Sequence, residues 1–63
     1  MLVHFTDFTT NNSIAVNPKY VVVVFTVTEE DGIERTIINT VTGNVVVKES
    51  QINVVGVIQG QLN

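Results

Sequence analysis

Between Val21 and Val27 apolar side chains fill both phases of a two-residue repeat. Val21, Val23, Phe25 and Val27 point one way from an extended chain, and Val22 and Val24 point the other. The run Lys19–Thr28 therefore reads as a strand with no face for water. Around it the pattern predicts further short strands. Leu2–Phe8 alternates imperfectly, with Val3 and Phe5 on one side and Leu2, His4, Thr6 and Phe8 on the other. Thr9–Ser13 (TTNNS) is a turn by composition, since Asn tolerates positive φ and Ser and Thr bond locally. Ile14–Val16 follows as a short strand antiparallel to the first, and Pro18 ends it.

Asp31-Gly32 after Glu29-Glu30 predicts a two-residue type I′ hairpin. Glu30 then faces Ile33, Phe25 faces Ile38, Val27 faces Thr36 and Val24 faces Asn39. The next strand spans Ile33–Val41, and Gly43-Asn44 is expected to reverse it, setting Thr40 opposite Val47 and Val41 opposite Val46. One face of this meander collects Val21, Val23, Phe25, Val27, Ile38, Val45 and Val47 as the expected core. The other carries Val22, Val24, Ile37, Val41 and Val46. A second apolar face needs cover.

Two readings of Glu49–Gly60 stand side by side. As a helix it has Ser50 for an N-cap, a stripe of Ile52, Val55 and Ile58, and Gly60 as a C′ stop. The doublets Val54-Val55 and Val57-Ile58 suit helical spacing. As a strand it has β-branched residues in its favour. Gly56 costs about 1 kcal/mol in a helix relative to Ala, which suggests either close packing there or plain tolerance.

Composition narrows what such a chain can be. Its 63 residues make one domain, 1–63, with a marginal core. It has no Cys and one His, so disulfides and thiolate ligands are excluded and zinc is disfavoured. Small folds without such staples usually associate. Formal net charge is −3, with Lys19, Arg35 and Lys48 the only cations. That argues against broad phosphate-backbone binding, yet leaves reading of unstacked bases by a symmetric assembly. No run reaches the roughly 20 apolar residues of a membrane helix. No secretory signal is evident, and the cytoplasm is the expected compartment.

Catalytic chemistry finds no foothold. Ser13 and Ser50 lack an elbow or a base pattern, and no Gly-rich phosphate loop is present. His4 reads as a half-exposed filler on a strand and Asp7 as a solvated strand-end residue. The acids at Glu29–Asp31 read as a solvated loop tip; metal-loop spacing is missing. Tyr20, Phe5 and Phe8 have faces on which bases stack, although aromatics in so apolar a chain are more often core. No enzyme is expected, and no cofactor.

The order of elements, with Ile14–Pro18 (IAVNP), the valine-rich strand, the hairpin and Val45–Ser50 (VVVKES), resembles short flagellar FlbD-type proteins. It is also similar to small phage-encoded and marine-metagenome proteins with an Sm-like (LSm) barrel. The resemblance implies a mostly β fold: a small, strongly bent, five-stranded Sm-like open barrel, assembling as a cyclic homo-oligomer and touching RNA or single-stranded DNA. Contacts would come from Lys19, Tyr20, Arg35 and Lys48, with Asn17 or Asn44 reading bases. Val22, Val24, Ile37 and Val46 would join subunits. Ile58-Gln59-Gly60 echoes the family's Ile-Arg-Gly, with Gln59 where that family stacks or pairs an Arg. The alternative function is an assembly adaptor that acts through protein contacts alone.

Overall fold

The computed structural model describes residues 1–62. Five strands and a C-terminal helix follow one another as β1 (Val3–Thr6), β2 (Ser13–Val16), β3 (Val21–Thr28), β4 (Glu34–Thr40), β5 (Gly43–Val47) and α1 (Gln51–Leu62), with a 3-10 turn at Pro18–Tyr20. The strands form two open sheets, β1-β2 and β3-β4-β5, rather than one closed barrel. A bridge between Asp7 and Val47 ties them. There Phe8 N–H donates to Val46 O at 3.0 Å and Lys48 N–H to Thr6 O at 2.9 Å. The first strand thus runs on beside the last.

The first hairpin matches its sequence. Val3 faces Val16 and Phe5 faces Ile14, and Val3, Phe5 and Val16 are buried. Asn11 takes the positive φ (63°) that its turn requires. His4 lies on the outward side and is exposed.

The meander differs from expectation in register. Glu29, not Glu30, faces Ile33: Gly32 N–H donates to Glu29 O at 2.9 Å, and Glu29 N–H to Ile33 O at 3.5 Å. Among the described residues only Asn11 and two glycines have positive φ, so Asp31 is not in a type I′ turn. Glu30, Asp31 and Gly32 (φ 77°) form a three-residue loop with glycine in the left-handed position. The extra loop residue shifts the ladder by one, placing Val24 against Ile38, Phe25 against Ile37 and Val27 against Arg35. The second turn is Val41-Thr42, not Gly43-Asn44, because Thr40 pairs with Gly43 and Thr36 with Val47.

The faces change with the register. A bulge falls between Val21 and Val23, leaving Val22 as the extra residue. Val21 and Val24, three apart, both pack against the core, whereas Val23 and Phe25 are exposed. Side-by-side rows Val24–Ile38–Val45 and Thr26–Thr36–Val47 face inward, and Phe25–Ile37–Val46 faces outward. Val24 therefore leaves the outer apolar face on which it was expected. Val23, Phe25 and Val27 leave the core.

Of the two readings of the tail, the helix is the one the chain adopts. Ser50 caps it: its Oγ accepts from Asn53 N–H at 3.3 Å and its carbonyl from Val54 N–H at 2.9 Å. The buried positions are Val54 and Ile58, one helical turn apart, which complete the core with Ile38 and Val47. Ile52 is 84 % exposed, so the expected stripe through it is displaced. Gly60 does not stop the helix, which runs on to Leu62.

Gly56 does not mark close packing. A Cβ built there meets nothing within 4 Å. Gly56→Ala is therefore expected to stabilise the protein by about 1 kcal/mol. In a thermal melt that is a rise of roughly 4–8 °C for a domain of this size. A fall in the melting temperature instead would mean that something outside this chain approaches the helix at Gly56.

Candidate nucleic-acid and assembly surface

Register decides which of the expected site residues meet. The outward row begins at Phe8, which bonds to Val46, and continues through Ile37 to Phe25. On one flank Asn44 faces Asn39, whose side-chain amide donates to the Asn44 carbonyl oxygen, and Val23 lies beyond. On the other flank is Arg35, facing Val27. Lys48 follows the buried Val47, so alternation directs it to the same side. Arg35, Asn44, Lys48, Ile37 and Val46 thus gather on one sheet face, with two phenylalanines among them.

Arg35 is already engaged. Its guanidinium sits 2.9 Å from Asp31 Oδ2, donates to Ile33 O at 3.1 Å and lies 4.5 Å over the Phe8 ring. The hydrogen bond with Asp31 raises Arg35 above its ordinary pKa. The same bond, helped by Ile33 N–H, holds Asp31 below its own. Phe8 and Arg35 cover one another, which leaves Phe25 as the open aromatic of this face.

Asn17, Lys19 and Tyr20 lie elsewhere. Asn17 caps the 3-10 turn, its Oδ1 accepting from Lys19 N–H at 3.0 Å. Pro18 is buried, which pins the turn and leaves Lys19 and Tyr20 exposed. Tyr20 and Asn17 line a cleft of about 170 Å³ with Ala15, Thr40, Thr42 and Val45. Among the described residues no charged side chain lines it. Val27 pairs with Arg35 and Val21 begins β3, so strand rise alone separates Lys19 from Arg35 by about 20 Å. Arg35 and Lys48 share the outer face, and Lys19 does not join them.

One polar contact escaped the sequence reading. Glu49 receives Thr6 N–H at 2.9 and 3.1 Å on its two oxygens and the Thr6 hydroxyl at 3.0 Å. Burial pushes this carboxyl up, but the Thr6 N–H, its own N–H and the Thr6 hydroxyl outweigh that and hold it below the ordinary glutamate range. The partners are 43 residues apart, and neither position carries a local signal. Asp7 is also lowered, by the N–H groups of Thr10 and Thr9, which it accepts at 3.0 and 2.8 Å while closing the first turn.

Among the described residues no three His, Cys, Asp or Glu side chains could hold a metal ion, and no helix is long and apolar enough to cross a membrane. The comparisons with protein-family models, with curated proteins and with solved structures return no match.

Proposed function

We propose that this chain is a non-catalytic, self-associating β module of the Sm-like open-barrel kind, working as a homo-oligomer through protein contacts. The observation that carries this reading is the amount of apolar surface the single chain leaves uncovered. Val22, Val23, Phe25, Ile33, Val41, Ile52 and Val57 are all exposed, against seven buried apolar residues. Of the exposed residues, Val23 and Phe25 adjoin the half-buried Ile37 and Val46 on one sheet face, and soluble monomers rarely leave large contiguous apolar patches open. The run of β1 alongside β5 supports the bent-barrel reading, because that contact draws the ends of a five-stranded chain together.

A second reading, binding of RNA or single-stranded DNA, has one observation in its favour: Phe25, Lys48 and Asn44 share the outer sheet face. Stacking on an exposed aromatic beside a cation is how such strands are held without sequence preference. Against it stand the net charge of −3 and the pairing of Arg35 with Asp31. Light scattering over a concentration series, with oligonucleotide titration at low salt, separates the readings. The expected result is a mass above 6.9 kDa and a flat titration. A monomer at every concentration removes the assembly reading. Salt-sensitive binding that Lys48→Glu abolishes replaces the protein-only reading with the second one.

A further inference from the structure

Among the described residues β3 is an edge strand, paired with β4 alone. Glu29 and Ile33 are a hydrogen-bonded pair, so alternation along the ladder makes Val27, Phe25 and Val23 the residues that bond to β4. The main-chain groups of Val24, Thr26 and Thr28 then point outward. Among the described residues nothing outside the ladder bonds to them. Thr26 does reach α1, but through its hydroxyl, which donates to Gln51 Oε1 at 2.6 Å on the inner side. From Val23 to Thr28 the free edge lacks two of the usual guards, Pro and charge, and the bulge at Val22 protects only its start.

We infer that this edge pairs antiparallel with β3 of a second copy, about a two-fold axis at Phe25, to make one sheet across the dimer. The inference rests on the self-association proposed above and names its surface. Hydrogen bonding across a new edge joins outward-pointing residues to each other, so Val24 meets Thr26 of the second copy and Thr26 meets its Val24. Phe25 then faces Phe25, and Val23 faces Val27. The strand is nearly palindromic in shape about Phe25, with β-branched residues matched at each step. On the outer side the pairs are all apolar and cover the exposed Val23 and Phe25. The bulge at Val22 ends the regular pairing on one side, and the loop after Thr28 ends it on the other.

Charge agrees with the antiparallel sense. Lys19 lies just before β3 and the acids Glu29–Asp31 just after it. An antiparallel pair therefore carries Lys19 of each copy toward the acidic tip Glu29–Asp31 of the other. A parallel arrangement would set acid beside acid. The isologous arrangement satisfies both ends at once.

Single cysteines in this otherwise cysteine-free chain test the register. A facing pair that is not hydrogen-bonded holds its Cα atoms about 4.5 Å apart, within disulfide reach. Phe25→Cys is expected to oxidise to a covalent dimer of twice the chain mass. Val23→Cys, equally on the surface, would lie roughly 13 Å from its counterpart by strand rise and is expected to stay monomeric on a non-reducing gel. Equal linking of the two variants, or linking of Val23→Cys alone, overturns the pairing. If neither links while the unmodified chain scatters as an oligomer, this interface is overturned and the assembly reading survives. A monomeric unmodified chain overturns both. Circular dichroism checks each variant for folding; should Phe25→Cys fail it, the Val23→Cys/Val27→Cys double variant carries the test, since those positions face each other across the axis.

Discussion

Truncation of Ile38 to alanine is expected to lower the unfolding free energy by about 2–5 kcal/mol. Ile38 has no solvent exposure and sits in the middle strand with Val24 on one side and Val45 on the other. Val47 and Val54, also fully buried, share its core. A hole at this point borders both sheet and helix, so no single element can move to fill it. Typical stabilities of ~0.05–0.15 kcal/mol per residue give roughly 3–9 kcal/mol for 63 residues. The truncation removes much or all of that. Urea unfolding at fixed protein concentration measures it, the concentration being held because association adds to apparent stability. A loss below about 1 kcal/mol would show that the core collapses around the missing atoms and is not a rigid centre.

Replacing Glu49 by glutamine is expected to cost about 1–2 kcal/mol at neutral pH, less than the roughly 1.5–3 kcal/mol of a hydrogen bond to a buried charge because the site is partly open. Glutamine keeps the shape and one acceptor oxygen but turns an NH2 donor toward Thr6, so the loss combines the charge with one acceptor. The direction with pH follows from the lowered carboxyl. Its stabilisation is complete above the unfolded value, about 4.3, and is lost as pH falls through the folded one. The gap between the two proteins should therefore be widest at pH 7 and close below pH 4. Unfolding curves at pH 7, 4 and 3 read it directly. Asp7 and Asp31, both lowered, shift the stability of both proteins in the same direction. A difference that stays constant with pH would assign the effect to packing rather than ionisation.

Much of the local architecture is legible in the sequence. The antiparallel pairing of the first two strands follows from alternation and from a turn rich in Asn and Thr, and Ser50 announces the helix start. Two things were not legible. Asp-Gly suits both a two-residue and a three-residue loop, and only the hydrogen bonds of Glu29 distinguish them. The bulge at Val22 lies within four consecutive valines, where any residue could be the extra one. Each shifts phase by one position. Together they move Val24 inward, move Val23 and Phe25 outward, and set the composition of the outer face. Arg35, Asn44 and Lys48 could be nominated as polar residues on β-rich segments, but their meeting beside Phe25 depends on that phase. Asn17, Lys19 and Tyr20 stay apart because Pro18 anchors them in a separate turn.

The tie between Thr6 and Glu49 also sets an order in time. On a ribosome adding ~5–20 residues per second, roughly 2–9 s pass between the two residues being made. The first hairpin is therefore made before the residue it leans on, and its tie to Glu49 closes only after β3, β4 and β5 have all been synthesised.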